Sequence, residues 1–310
     1  QLAAADMFRL LVALAAACAL AGTASAGCLE AGKVANKFIV TYSIVPDPFH
    51  SFSFYSMPRT ISAAQKDKFA QVSENAVDST TLWCRDGDYR VCVYFDAQGS
   101  VAGIQLSARV SEVVKQDVKK NAPLDIEAIP EWRRQTLLGE DVYSSTAYFL
   151  SRAELQAGGR PLTEDTLTAP NGLYLLQTDR NGVETGFQHV PNAETEAEAA
   201  GFNEQACFYG MGKHYFQNLK KEGTCEAHRP YFLLFGPQSK QLQGFGFVQY
   251  GKVSQGRGWF ETPPALVAKK IAPNSPDCMT KWINTYGLFT MHVFFVEKPY
   301  YTSCKRKDGN

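Results

Sequence analysis

Residues 89–110 read YRVCVYFDAQGSVAGIQLSARV, and this stretch decides the fold class. Two runs, residues 89–95 and 101–110, are rich in β-branched and aromatic side chains. Between them Asp96-Ala97-Gln98-Gly99 has turn composition. Two such runs joined by a short turn predict an antiparallel hairpin. Similar runs recur at residues 37–45, 144–150, 172–177, 185–190, 230–235, 244–250 and 288–296. Asp179-Arg180-Asn181-Gly182 supplies a second hairpin turn. Helical spacing is rarer and is confined to residues 63–70, 111–120, 194–200 and 264–269, while residues 153–168 read as a loop. The chain is therefore expected to be mainly β (a β-rich α+β protein) of antiparallel barrel or sandwich units.

The decisive stretch has an echo. Cys84, a strand ending Tyr94-Phe95, a turn and Gly103-Ile104-Gln105-Leu106 are matched later by Cys225, a strand ending Leu234-Phe235, a turn and Gly244-Phe245-Gly246-Phe247. The order continues with Glu131-Trp132 before Thr146-Ala147-Tyr148-Phe149, and Trp259-Phe260-Glu261 before Thr290-Met291-His292-Val293. An internal duplication with a pseudo-twofold axis is one reading; chance likeness among aromatic-rich strands is the other. The duplication divides the chain into a leader and signal peptide (1–26), a first β-rich unit (27–150), a connecting segment with a hairpin (151–205) and a second β-rich unit (206–310). In that alignment Tyr148 takes the place of His292.

The N-terminal region has the pattern of an export signal. Residues 1–6 precede the first methionine, Met7, and read as translated leader. Arg9, the apolar run 10–20 and Ala24-Ser25-Ala26 then form the charged, hydrophobic and cleavage segments. The apolar run is shorter than the ~20 residues a membrane span needs. A secreted protein, free of the membrane in its mature form, is expected. Formal net charge is zero, so no basic surplus steers the chain to nucleic acid. Of eight cysteines, Cys18 leaves with the signal. In an oxidising compartment the other seven imply three disulfides and one spare thiol. Cys28, Cys84, Cys207, Cys225, Cys278 and Cys304 are the disulfide candidates, with pairing open. Cys92, inside a strand-like run, is the expected free and buried thiol.

Common enzyme signatures are missing: no G-x-S-x-G, no H-E-x-x-H, no phosphate loop, no dinucleotide fingerprint and no C-x-x-C. The histidines are His50, His189, His214, His228 and His292, and no two have a local metal-ligand spacing. Metal ligands are left unassigned. His292 alternates with Thr290 and Phe294 on one face of a strand-like run, which sets an imidazole beside a hydroxyl. Such an imidazole suits acid–base chemistry near neutral pH. His214 and His228 are the other candidate bases. Residues 256–261, GRGWFE, combine a cation, a flat aromatic and a carboxylate, and can stack on a planar ligand. The catalytic candidates are thus His292, His214 and His228. The substrate-binding candidates are Arg257, Trp259, Tyr148 and Thr290, with Arg257 or Lys213 balancing negative charge. Each also has a plain structural reading as core or surface.

Several phrases together resemble one family. They are NKFIVTYSIVPDP (36–48), SFYSMPRT (53–60), TAPNGLYLLQ (168–177), FQHVP (187–191), ACFYGMGKHYF (206–216), GFGFVQYG (244–251), GRGWFE (256–261) and IAPNSPDC (271–278). The chain resembles the secreted luciferases of bioluminescent syllid fireworms over nearly its whole mature length. The resemblance implies an oxidoreductase that oxidises a small heterocyclic luciferin with dioxygen as co-substrate and emits light. It implies no tightly bound organic cofactor, with magnesium as an admissible helper. A monomer acting on a small-molecule luciferin is expected. The alternative is a non-catalytic secreted small-ligand-binding protein of the same fold, or a matrix component joined through the odd cysteine.

Overall fold

A computed structural model describes residues 34–41, 54–76, 78–113, 124–254 and 258–304. The first strands are β1 (Val34–Thr41), β2 (Phe54–Ser56), β3 (Phe69–Glu74), β4 (Thr81–Arg85), β5 (Val91–Phe95) and β6 (Val101–Arg109). Next come β7 (Arg133–Leu137), β8 (Glu140–Tyr148), β9 (Leu173–Thr178) and β10 (Glu184–Val190). The last are β11 (Phe202–Phe208), β12 (Gly212–Gln217), β13 (Tyr231–Phe235), β14 (Leu242–Tyr250) and β15 (Leu288–Val296). The first sheet runs β10-β9-β8-β6-β5-β4-β3, with β7 also paired to β8; the second runs β11-β12-β13-β14-β15-β1-β2. Neither path returns to its start, so the barrel option gives way to an open antiparallel sandwich.

Alternation builds the layer between the sheets. Successive strand side chains point to opposite faces. Phe149, just past β8, meets Phe245 of β14, Phe295 of β15 and Phe38 of β1 at centroid distances of 6.4, 5.4 and 5.4 Å. Ser145 Oγ donates to Tyr231 Oη across the same interface at 2.8 Å. Strands β13, β14 and β15 are buried on both faces. That is why they read in the sequence as long, mostly apolar runs. A helix at Ala265–Ile271 and another at Cys278–Tyr286 lie against the second sheet, where Trp282 packs on Tyr250.

The central strands of the two sheets repeat one register. Tyr94 faces Gly103, and after a bulge Phe95 faces Val101. Leu234 faces Gly244, and after a bulge Phe235 faces Leu242. The shared bulge equates Gly103 with Gly244. Across the next strand it equates Tyr148 with Phe294. The expected equivalence of Tyr148 and His292 is therefore displaced by two residues, and His292 corresponds to Thr146. Both frames put Tyr148 and His292 on the same kind of face, because two residues is one strand period. The N-terminal β1 and β2 do not join the first sheet; they extend the second beyond β15.

Among the described residues three disulfides tie the fold: Cys84–Cys92, Cys207–Cys304 and Cys225–Cys278. Cys92 is thus not the free thiol. It lies directly opposite Cys84 on the neighbouring strand, with Cα atoms 4.4 Å apart, a spacing that admits a bridge. The two cysteines not in these bridges, Cys18 and Cys28, lie outside the described residues. The segment expected to be loop at 153–168 begins with a short helix, Arg152–Gln156, fixed by a Ser151–Glu154 capping box. The expected helix at 111–120 falls mostly outside the described residues, and residues 111–113 are not helical. No helix among the described residues is long and apolar enough to cross a membrane.

Loop closure sets the worth of each bridge. Cys84 and Cys92 are 8 residues apart, Cys225 and Cys278 are 53 apart. Replacing the first pair by serines should cost about 2.5 kcal/mol and the second about 4 kcal/mol. Urea unfolding of the two double variants checks the order; a costlier loss at Cys84–Cys92 would contradict it.

Candidate functional site

The candidate site lies on the outer face of the second sheet, and it starts from two missing side chains. Gly244 and Gly246 alternate with the inward-facing Phe245 and Phe247 on β14. A Cβ on Gly246 would overlap Phe232 Cζ, and one on Gly244 would overlap the Val293 carbonyl. Both glycines are required by close approach. Together they form a trench between β13 and β15. Cross-strand register fills it in two rows. One row runs His214, Leu234, Gly244, Phe294; the other runs Phe216, Phe232, Gly246, His292.

Three rings meet over this trench. Phe232 lies 5.6 Å from His214 and 5.0 Å from His292, and the two imidazoles are 5.8 Å apart. Phe216 stacks near Phe232 at 5.2 Å, and Phe294 stacks parallel to His292 at 6.1 Å. His214 is 1% exposed and His292 3%. Strand alternation accounts for His292 lying beside Thr290. The meeting with His214 requires the pairing of four strands.

A carboxylate completes the cluster. Glu261 continues the line of β1 along the edge of β15: its N–H donates to the Thr290 carbonyl, and the Thr290 N–H donates back. This sets Glu261 Oε2 2.8 Å from His292 Nδ1, a close contact that is bent away from the ideal hydrogen-bond line. Thr290 Oγ1 donates to the same oxygen at 3.0 Å, and Thr41 also bonds the carboxylate. Thr41 Oγ1 accepts from the His292 N–H at 3.1 Å. Burial alone would raise the Glu261 carboxyl. The His292 imidazole and the contacts from His292, Thr41 and Thr290 outweigh it and hold the carboxyl below its ordinary value. Glu261 is visible in GRGWFE as a carboxylate, but nothing in the sequence marks its partner.

His214 is the opposite case. Neither ring nitrogen has a hydrogen-bond partner of normal geometry. Burial, and then the neighbouring His292, push its pKa down to about 3, against a weaker opposing pull from the backbone of Ala206 and Gly212. It is neutral at neutral pH and carries one donor and one acceptor.

The other candidates lie elsewhere. His228 points Nε2 at the Val248 carbonyl at 3.0 Å and packs on Tyr250 at 5.0 Å. Burial lowers it to about 4. Trp259 is an anchor: Nε1 donates to Asp88 Oδ2 at 3.1 Å, and its ring meets Tyr55. Tyr148 belongs to the first sheet and stacks on Phe187 at 4.9 Å. Lys213 pairs with Glu194 and Glu204. Arg257 lies outside the described residues. Of the named candidates, His292, His214 and Thr290 are brought together. Among the described residues no three His, Cys, Asp or Glu side chains form a metal-holding group. A cavity of about 20 Å³ beside Phe216, His228 and Arg229 has room for about one water.

The site is a buried carboxylate–imidazole pair in an aromatic enclosure. Comparison of the chain with protein-family models, curated proteins and solved structures finds no match.

The lowered pKa of His214 makes stability pH-dependent. The unfolded chain binds that proton first, so the stabilisation is complete above the ordinary value of 6.5 and is lost as pH falls towards about 3. Glu261 adds a further loss below its ordinary 4.5. Each proton contributes a slope of about 1.4 kcal/mol per pH unit. Replacing His214→Phe should flatten urea-unfolding stability by that slope between about pH 6 and pH 4. Parallel curves for the two proteins would contradict the buried neutral imidazole.

Proposed function

We propose that this protein is a secreted luciferase: an oxidoreductase that oxidises a small heterocyclic luciferin with dioxygen and emits light. The observation that carries the reading is the Glu261–His292 pair, 2.8 Å apart and buried among aromatic rings. The resemblance of the sequence to fireworm luciferases supplies the reaction. The pattern at residues 7–26 and the three disulfides support export.

The chemistry needs a base in a water-poor place. Glu261 engages His292 Nδ1, which leaves Nε2 as the nitrogen not held by the carboxylate. Nε2 takes a proton from the luciferin, and the adjacent carboxylate stabilises the imidazolium that forms. Dioxygen then adds to the carbanion. The imidazolium returns its proton to the peroxide, whose O–O bond then breaks as the carbon loses its remaining hydrogen; one oxygen stays in the excited carbonyl product and the other leaves as water. The rings of Phe216 and Phe294 limit the water that would quench it. His214, lowered to about 3, is a poor base, so its role is binding. His228, held on the Val248 carbonyl, lies outside the enclosure.

Mixing the purified protein with luciferin and air tests this directly. Light is expected; darkness from correctly folded protein would sink the reading and leave the binding-protein alternative. His292→Gln should lower light output by about 10²–10⁴-fold, the range of a general base. His228→Gln should leave it within about twofold, because only a base that reaches the substrate contributes to proton transfer. Equal losses in both variants would remove His292 from the role.

A further inference from the structure

The reacting pair is enclosed: His292, Glu261 and Phe232 are all buried. A heterocycle must therefore take the place of something already in the trench. Phe232 is that group. Its ring sits over Gly246, where any Cβ would strike it, and touches both imidazoles. It is a flat six-membered ring in contact with a buried His214 whose two nitrogens have no hydrogen-bond partner of normal geometry.

A buried imidazole whose nitrogens have only weak backbone contacts is costly to keep. The aromatic neighbours and the glycine floor define a planar slot. The His214 nitrogens, held only by weak contacts with the backbone of Ala206 and Gly212, call for a better polar partner at one edge of the occupant. The Glu261–His292 pair calls for an acidic proton at another.

We propose that the Phe232 ring is a built-in plug occupying the ligand slot, and that the natural ligand is a planar heteroaromatic lactam or related ring that displaces it. The ring of the ligand lies on Gly244 and Gly246. Its carbonyl or ring nitrogen bonds His214, and its acidic N–H or C–H faces His292. This rests on the luciferase reading for the reaction, but not for the binding.

Ligand binding is measured without light. The probes are 2-pyridone, which is planar with adjacent N–H and C=O, and benzene, which has the shape without the polar atoms. Each is titrated into the intact protein, Phe232→Leu and Phe232→Ala, with the imidazole NMR signals of His214 and His292 as the readout. Removing the plug should tighten 2-pyridone at least tenfold over the intact protein. It should also make 2-pyridone bind at least tenfold tighter than benzene. Adding His214→Phe to Phe232→Leu should erase that preference while benzene still binds. Equal affinities for the two probes, or binding that leaves both imidazole signals unmoved, would overturn the proposal. Phe232→Leu keeps the test valid if Phe232→Ala does not fold. Slot binding with no light from luciferin would leave this site standing and remove the luciferase reading. Light from a protein whose slot refuses 2-pyridone would do the reverse.

Discussion

The buried contact between Glu261 and His292 is the constraint around which the second sheet is arranged. A carboxylate 4% exposed is costly to bury unless its lone pairs are met. Here His292, Thr290 and Thr41 all engage it. Those three residues come from β15 and β1, distant in sequence and adjacent in the sheet. The N-terminal strand β1 must cross to the second sheet to supply Thr41, and residue 261 must pair with Thr290 just beyond it. The topology at this edge and the polar contacts of the site are one requirement met in two ways.

The same face of the sheet meets a second requirement on the β14 side of β15. Strand β14 buries both faces, yet its outer face carries glycines where Phe232 crosses. The two meanders share a bulge but diverge in the residues beyond it. In the first sheet Gln105 and Thr146 occupy the positions of Gly246 and His292. There Gln105 bonds Tyr94, Thr146 and Ser107 in a neutral network. A satisfied polar network fixes a structure. In the second sheet the equivalent row holds His292, paired with Glu261 and beside the weakly held His214 imidazole. Of the two halves, the second is therefore the better suited to chemistry.

Much of the fold is legible in the sequence because double burial writes itself plainly. Residues 288–296 and 244–250 read as strands since nearly every position is apolar or small. Strands β11 and β12 give no such signal: Gly210 lies between them, Gly212 opens β12, and their polar positions break the alternation. The helix Cys278–Tyr286 has no capping hydrogen bond from Asp277, so no start signal marks it. Cys92 in a strand looks like core, and only register shows Cys84 opposite. In the site, alternation puts His292 and Thr290 on one face. His214 lies three strand pairings away, and Glu261 reaches His292 through an isolated bridge outside any strand. Neither relation has a period, so no sequence pattern could announce it.

The most direct measurement is an experimental structure of the protein bound to its oxidised luciferin product. The expected result places the product over Gly244 and Gly246, with Phe232 swung aside and a polar atom within about 3.2 Å of His292 Nε2. A product bound instead at the first sheet around Tyr148, or against His228 and Arg229, would contradict the assignment of chemistry to the Glu261–His292 pair.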